Sequence, residues 1–438
     1  MDSINVAVSS PCGGAQNCGL DYYKIAESLI SEYRIVSFKG ISYLYENGTY
    51  KQDFGKLDKA IIRTLIQNRL GGKDSFTNPT SQIKYIINGL TSEDEYPFNK
   101  QKNLIPVRNG VLRVNNEGSI DLLDHSPDHR FTYLLPIDYN PTADVNPVIE
   151  FLNSTGCEKD ILLQIPAQGL LSKGGMCYKK AYLLKGVKHT GKTTYLNLLN
   201  KKFFGMENCS NVSLHDLISD SHASSALVGK LMNVSNELSR VSLSDLGRFK
   251  EMTGGGVMSV NRKYYDPYSI ECDTMFVFAT NAYPSVVDTD DYAFWERWMI
   301  VDFTETHKID PLFEERTYTD AFLSAFLNLV IERMLQILKE GIKSDSWEII
   351  KAKWLNDGDP FYHFVSTCLE RGNEFFIVGA DLFAHYEKYC EAMDDFPISV
   401  KEFGIKIQEL GALHRQKTIG GKPKRGYIGY RIKDQQLS

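Results

Sequence analysis

The chain has 438 residues, enough for two to four domains with proper cores, and its 42% hydrophobic and 24% charged residues are those of an ordinary soluble globular protein. A formal net charge of −6 neither demands nor excludes a nucleic-acid partner, so local charge decides. The 8 cysteines are scattered with no C-x-x-C pair, which argues against a zinc site or a disulfide framework and fits a reducing, cytoplasmic compartment, and no signal peptide or membrane span is read from the pattern.

Residues 1–20 carry Ser, Gly and Asn without periodicity and read as a flexible tail. Residues 21–103 read as a small α+β module. Its expected parts are a helix at 21–33, strands at 35–38 and 42–45 with Asn47-Gly48 as a hairpin turn, and helices at 56–69 and 80–90. Gly71-Gly72 and Thr77-Asn78-Pro79-Thr80 read as loops within it. Alternating apolar and polar residues predict short strands at 104–114, 120–123 and 131–135, followed by a linker between Pro141 and Pro147 and a helix at 148–152.

A strand-like run, 181–184, then leads into Gly186-Val187-Lys188-His189-Thr190-Gly191-Lys192-Thr193-Thr194, and a leucine pattern (Leu196, Leu198, Leu199) follows. Strand, glycine loop and helix in that order form the context a phosphate loop requires: a turn without bulky Cβ atoms, whose N–H groups and helix N-terminus face an anion. In such a loop Lys192 holds the β- and γ-phosphates of ATP and the Thr193 hydroxyl ligates Mg2+. The plainer alternative is a chance glycine-rich turn.

The next buried-looking strand, 231–235, ends in Asn236-Glu237, and Glu237 is the candidate for holding Mg2+ and the attacking water beside the phosphate loop. A Gly-rich turn at 253–256 precedes strands at 257–260 and 269–272, with Arg262 and Lys263 near the tip between them. They read as a grip on a phosphate backbone or, more blandly, as a solvated basic turn. A further strand, 274–280, ends at Asn281, which either orients the lytic water or caps a turn. Arg297 precedes the strand 299–303, a position that suits an arginine finger.

The apolar run at 321–338 contains Glu332 and Arg333 and reads as a buried or amphipathic helix within a longer one, 318–339, with another at 346–355. From Pro360 the composition shifts. Helices at 361–371, 380–393 and 399–410, a short strand at 375–378, and strands at 413–418 and 426–432 joined by 420–425 make up a winged helix. Nine Lys and Arg against three acids between 401 and 438 favour DNA contact through Lys422, Lys424 and Arg425.

The ordered series of glycine loop, strand ending in Glu237, Thr-Gly-Gly with a basic hairpin, FVFATN ending in Asn281, and Arg297 resembles superfamily 3 helicases. It is most similar to the helicase part of the phage, plasmid and poxvirus primase-helicase family. Asn109-Gly110-Val111 and the stretch from His125 to Ala143 are similar to the collar that precedes the ATPase in that family. The resemblance implies an α/β fold with a P-loop AAA+-like core, divided as 1–20 tail, 21–103 N-terminal module, 104–160 collar, 161–310 ATPase core, 311–358 helical extension and 359–438 winged helix. It implies ATP and Mg2+ as cofactors, Lys192 and Thr193 on phosphates and metal, Glu237 polarising water, Asn281 as sensor, Arg297 reaching a neighbouring subunit, and Arg262 and Lys263 on a pore hairpin against single-stranded DNA. Asn236 stands where many relatives have a second acid, so Mg2+ would rest on Thr193 and Glu237. Gly256 likewise stands where an acid often follows the Gly pair. The expected protein is a ring-forming, hexameric replicative helicase acting on single-stranded and forked DNA, with a separate primase or polymerase as a further partner and no membrane. The alternatives are an ATP-switched origin-binding initiator and a duplex translocase.

Overall fold

The computed structural model describes residues 21–67, 77–115, 117–173, 178–220, 222–235, 238, 246–261, 267–281, 283–284, 286, 289–392 and 396–433. The expected tail, the Gly71-Gly72 loop, Glu237, Arg262 and Lys263 lie outside these residues.

The first module holds α1 (Tyr22–Tyr33), β1 (Val36–Phe38), β2 (Ile41–Glu46), β3 (Thr49–Gln52), α2 (Lys56–Gln67), α3 (Thr77–Thr91) and β4 (Ser92–Glu93), with the sheet in the order β3-β2-β1-β4. Asn47 and Gly48 both take positive φ, 48° and 88°, and close the β2–β3 hairpin as expected. Thr77–Thr80, expected to be a loop, instead opens α3. Pro79 there is in the first turn, where a missing N–H costs nothing. Three antiparallel strands follow, β5 (Leu104–Val107), β6 (Gly110–Val114) and β7 (Ile120–Leu123), while the strand expected at 131–135 reduces to one bridge, Leu135 to Val107.

The central layer is a five-stranded parallel sheet in the order β14-β8-β13-β10-β9, built from β8 (Ala181–Lys185), β9 (Cys209–Ser210), β10 (Met232–Ser235), β13 (Met275–Thr280) and β14 (Trp298–Asp302). A separate antiparallel pair, β11 (Val257–Val260) and β12 (Tyr268–Glu271), is inserted between β10 and β13 in the chain. Both faces of the parallel sheet are buried, so β8, β13 and β14 are apolar over most of their length, while the buried polar residues of β9 and β10, Ser210 and Asn233, hydrogen-bond to each other. Tyr182, Leu184, Val277, Ala279, Met299 and Val301 face one core, packed by α4 (Asn146–Ser154), α5 (Lys159–Lys173), α6 (Lys192–Asn197, continued by a π-helical turn to Phe203) and later α11 (Asp320–Glu340). Ala181, Leu183, Phe276, Phe278, Trp298 and Ile300 face a second core, packed by α7 (Leu214–Ser219), α8 (Gly247–Thr253), α9 (Tyr292–Trp295) and α12 (Trp347–Gly358). Helices on both faces of a parallel sheet define an α/β fold. Between β14 and α11 lies α10 (Phe313–Thr317).

Helix α11 is long and apolar enough to cross a membrane, but Phe322, Phe326, Val330 and Ile337 are buried in the first core. Helix α5 was not visible in the sequence pattern: from Leu162 to Lys173 every residue is buried, so it has no polar stripe to reveal a period.

The C-terminal unit runs α13 (Pro360–Cys368), β15 (Leu369–Val378), α14 (Gly379–Ala392), α15 (Val400–Glu409), β16 (Leu413–Ile419) and β17 (Lys422–Ile432), with its antiparallel sheet in the order β15-β17-β16. Residues 369–371, expected to continue the preceding helix, pair instead with Ile432, Arg431 and Tyr430. Ser399 caps α15, its hydroxyl accepting from Glu402 N at 3.2 Å. The last hairpin turns on Gly420 and Gly421 alone, both at positive φ, so Lys422 to Arg425 belong to strand β17 rather than to a loop.

Candidate functional site

The glycine loop, the candidate for holding phosphates, leaves the carboxyl end of β8, a central strand of the parallel sheet, and closes at the start of α6. Open α/β sheets place ligands at this edge. Two glycines shape it for different reasons. A Cβ at Gly186 would stand 2.5 Å from the Phe303 carbonyl oxygen and 2.7 Å from Thr190 Oγ1, so that position is closed by space. Gly191 has φ of 86° and is barred to other residues by backbone conformation. His189 also adopts a left-handed φ, 66°, at the crown of the loop.

Lys192 is 8% exposed and its ammonium lies inside the loop. It donates to the carbonyl oxygens of Gly186 and, at 2.8 Å, Val187, and Thr190 Oγ1 lies 3.4 Å away. Burial pushes its pKa down from the ordinary lysine value. Thr193 is exposed in the first turn of α6, whose leading N–H groups have no intrahelical acceptor. A turn with no room for a Cβ, a buried ammonium and a free helix start are the kinds of donor that phosphates take, so Lys188 to Thr194 could hold a nucleotide's phosphates, with Thr193 the residue that would ligate Mg2+.

Asn281 follows Thr280, which lies in register with Lys185, the last strand residue before the loop. It is exposed and within about one strand spacing, ~5 Å, of the loop entrance. The strand leading to Glu237 is placed differently from expectation. β10 pairs with β13 and β9 and does not touch β8, because β13, although later in the chain, is inserted between them. The strand end that precedes the candidate carboxylate therefore lies two strand spacings, roughly 10 Å, from the loop's strand and not beside it. The described residues flanking it, Ser235 and Leu238, are both tied to β13: Ser235 pairs with Phe278, and Leu238 N donates to Ala279 O at 3.1 Å.

Arg297 is not part of this cluster. Its carbonyl oxygen accepts from Ala181 N at 2.7 Å, at the opposite end of β8. Five residues of strand, at ~3.3 Å each, separate it from the loop by roughly 16 Å. Its guanidinium donates to Lys250 O at 3.2 Å and Ala293 O at 2.5 Å within its own chain.

The structure also shows residues the sequence did not single out. After β14 a strap, 304–312, runs past the loop: Phe303 N donates to Lys185 O at 2.7 Å, and His307 N donates to His189 O at 2.8 Å. Farther on, Asn197 Nδ2 donates to Glu314 Oε1 at 2.6 Å, and the Tyr318 hydroxyl donates to Thr194 O at 2.9 Å. No local motif marks this strap, because its partners are more than a hundred residues away.

The expected hairpin is present as β11–β12, its base held by Ser224 Oγ donating to Ser259 O at 2.9 Å. The second basic element is β16–β17. Lys422, Lys424 and Arg425 are exposed, and Lys417 stands directly opposite Lys424. Residues two apart share a strand face, as do directly paired residues. Arg415, Lys417, Lys422 and Lys424 therefore lie on one face of the ribbon and Arg425 on the other. The i, i+2 spacing of Arg415 and Lys417 was the signal that could have added them to the candidates.

Residues 27–157 match the family described as D5 N terminal like, and residues 184–297 match a family of unknown function, DUF5906; each spans well under half of the chain. The second covers the loop, β10, the β11–β12 hairpin, Asn281 and Arg297. No curated protein matches the chain at a significant level. Among solved structures, the apo structure of the NrS-1 C terminal region (305-718) is similar at 15% identity and a TM-score of 0.47, covering 94% of this chain and 99% of that one. An A form apo structure of the same region gives 16%, 0.45, 94% and 98%. Likeness of that degree is too slight to transfer a fold or a function.

Proposed function

We propose that the chain is an ATP-driven DNA helicase of a virus, phage or plasmid, with an AAA+-like P-loop core of the superfamily 3 type and a C-terminal winged helix, working as a ring on single-stranded DNA. The observation that carries this reading is the split of the candidate residues between the two edges of one sheet. Lys192, Thr193 and Asn281 gather at the carboxyl edge, and Arg297 is at the amino edge, out of reach of its own loop. One chain alone thus lacks the arginine, and a head-to-tail neighbour supplies it. Such contacts close into a ring, and the family resemblance makes that ring a hexamer.

In this reading Lys192 and the loop amides hold the phosphates, Asn281 orients water, and Glu237 draws a proton from it. Mg2+, held by Thr193 and Glu237, would neutralise charge on the β- and γ-phosphates. A trans arginine is worth on the order of 10³ to 10⁵ in rate for NTPases that use one. Arg262 and Lys263 grip the translocating strand, while Lys422, Lys424 and Arg425, joined by Arg415 and Lys417, hold duplex DNA by its phosphates. The like-charged pair Lys417–Lys424 supports this, since cations placed opposite each other repel and an anion against them relieves that repulsion, beyond what the Phe376 ring 5.1 Å from Lys417 Nζ provides. A separate primase or polymerase would complete the replication machinery.

ATP hydrolysis measured against protein concentration, with and without single-stranded DNA, tests the reading. Activity should rise more than linearly, respond to DNA, and vanish in Lys192→Ala. Linear, DNA-independent hydrolysis that survives that substitution refutes it. The basic ribbon also favours a second reading, an origin-binding initiator that uses ATP only to cycle assembly; unwinding of a forked duplex excludes it.

A further inference from the structure

Resting on the nucleotide reading above, we infer that the strap at 304–312 is the wall against which the nucleobase is bound, with His307 and Ile309 as the side chains that contact it. The direction follows from the sheet. The γ-phosphate must lie toward β13 and β10, because Asn281 and the strand that leads to Glu237 are on that side of β8. The nucleotide then extends the other way, toward β14, and the element that follows β14 and borders the loop there is the strap.

The strap is fixed to the loop at defined points. Phe303 N donates to Lys185 O, and the Phe303 carbonyl occupies the space beside Gly186. His307 N donates to His189 O, which brings the imidazole against Gly191: a Cβ there would lie 3.6 Å from His307 Cδ2 and 3.8 Å from Nε2. Two residues further on, Ile309 is 77% exposed although apolar, and Leu312 is 56% exposed. These side chains belong to neither core.

Charge separates a base from a phosphate as the occupant. The strap carries Glu305 and Asp310 against Lys308 alone, and a net acidic segment repels phosphates. A planar imidazole next to an exposed branched aliphatic side chain instead offers the apolar, stacking surface that a purine ring takes.

The test compares ATP with inorganic tripolyphosphate, which has the phosphates and no base. Binding of each to the full chain with Mg2+ is measured by calorimetry for wild type, His307→Ala and Ile309→Ser. Alanine at 307 keeps the backbone N–H that holds the strap, and both positions are exposed, so the fold is retained. Each substitution should weaken ATP at least tenfold and change tripolyphosphate less than twofold. Equal losses for the two ligands would put His307 on the phosphates and overturn the inference, as would unchanged ATP affinity in both variants. Wild type that binds neither ligand would overturn the phosphate-loop reading itself, and the inference with it.

Discussion

Gly186→Ala isolates the geometry of the loop from its chemistry. The added methyl would meet the Phe303 carbonyl oxygen at 2.5 Å and Thr190 Oγ1 at 2.7 Å, some 0.9 Å short of ordinary contact at 3.4 Å in the first case. Neither neighbour yields readily. Phe303 is tied through its N–H to Lys185 O at 2.7 Å and its ring is buried beside Tyr195, and Thr190 donates to Val187 O at 2.9 Å. The loop must therefore move by most of that shortfall, and displacement of ~1 Å in a positioned site costs on the order of 10² in rate. Gly191→Ala fails for a different reason. Its Cβ would find ordinary contact at 3.6 Å, but φ of 86° costs about 1–2 kcal/mol for a residue with a side chain, a factor of roughly 5 to 30 against holding the loop in this shape. Nucleotide affinity and turnover measured for both variants, alongside thermal melts to show that the fold survives, should rank Gly186→Ala as the more damaging. A Gly186→Ala protein that binds and hydrolyses ATP like wild type would mean the phosphates do not use this loop.

Arg297→Ala should leave ATP binding intact and abolish turnover, and mixing it with Lys192→Ala chains should restore part of the activity; no recovery in the mixture would leave Arg297 with its cis contacts to Lys250 O and Ala293 O as its whole role. Lys417→Glu should act in opposite senses on fold and binding. Facing Lys424, it replaces a repulsive cross-strand pair by an attractive one worth ~0.2–1 kcal/mol, yet it should weaken duplex DNA binding and lower the salt slope by about one per lost phosphate contact. Unchanged salt dependence would remove the ribbon from the DNA account. Asp160 tests linkage. The hydrogen bond from Lys343 Nζ, 3.1 Å, holds its carboxyl below the ordinary aspartate value against the opposing effect of burial. The folded state then releases that proton more readily than the unfolded one, so its stabilisation is full above the unfolded value near ~3.9 and is lost as pH falls through the folded one. Melting temperatures of wild type and Asp160→Asn should differ at pH 7, begin to approach each other below about pH 4, and meet only once pH is under the depressed folded value; a gap that persists there would assign the effect to packing.

The strands of the central sheet and the strand–glycine turn–helix at Gly186 to Lys192 were legible because their causes are local: apolar runs buried on both faces, glycines at a turn, and a helix beginning at Lys192. Their order in the sheet was not. That β13 separates β8 from β10 depends on pairing between residues about a hundred positions apart, such as Lys185 with Thr280, and no periodicity within either strand encodes it. Helix α5 escaped for a related reason. Gln164 and Gln168 look like surface positions in the sequence, yet Gln164 Nε2 donates to Tyr182 OH at 3.2 Å and its Oε1 accepts from Arg333 at 3.1 Å, so the polar residues are consumed inside the core. Pro166 lies in the same helix, where pattern reasoning expects a break. The strap was equally hidden: exposed Ile309 and Leu312 acquire meaning only once His307 is seen bonded to His189.

The insertion of β13 bears on chemistry as well as topology. A carboxylate on a strand next to the loop would crowd the γ-phosphate and repel it across one strand spacing, ~5 Å. In the proposed reading the end of β10 instead lies one strand further away, with β13 between, and β13 is the strand that ends in Asn281, an amide that would orient a water without adding charge. The amino edge carries the opposite logic. Two of the donors of Arg297 are held by carbonyl oxygens of its own chain, and charged hydrogen bonds of that kind are worth ~1.5–3 kcal/mol. In the ring reading proposed above, swinging the guanidinium to a neighbour's γ-phosphate would have to offset that loss, which a concentrated negative charge can do. A diphosphate, lacking that charge at the far position, would let Arg297 fall back on Lys250 and Ala293, so the state of the nucleotide in one chain would set the strength of its contact with the next.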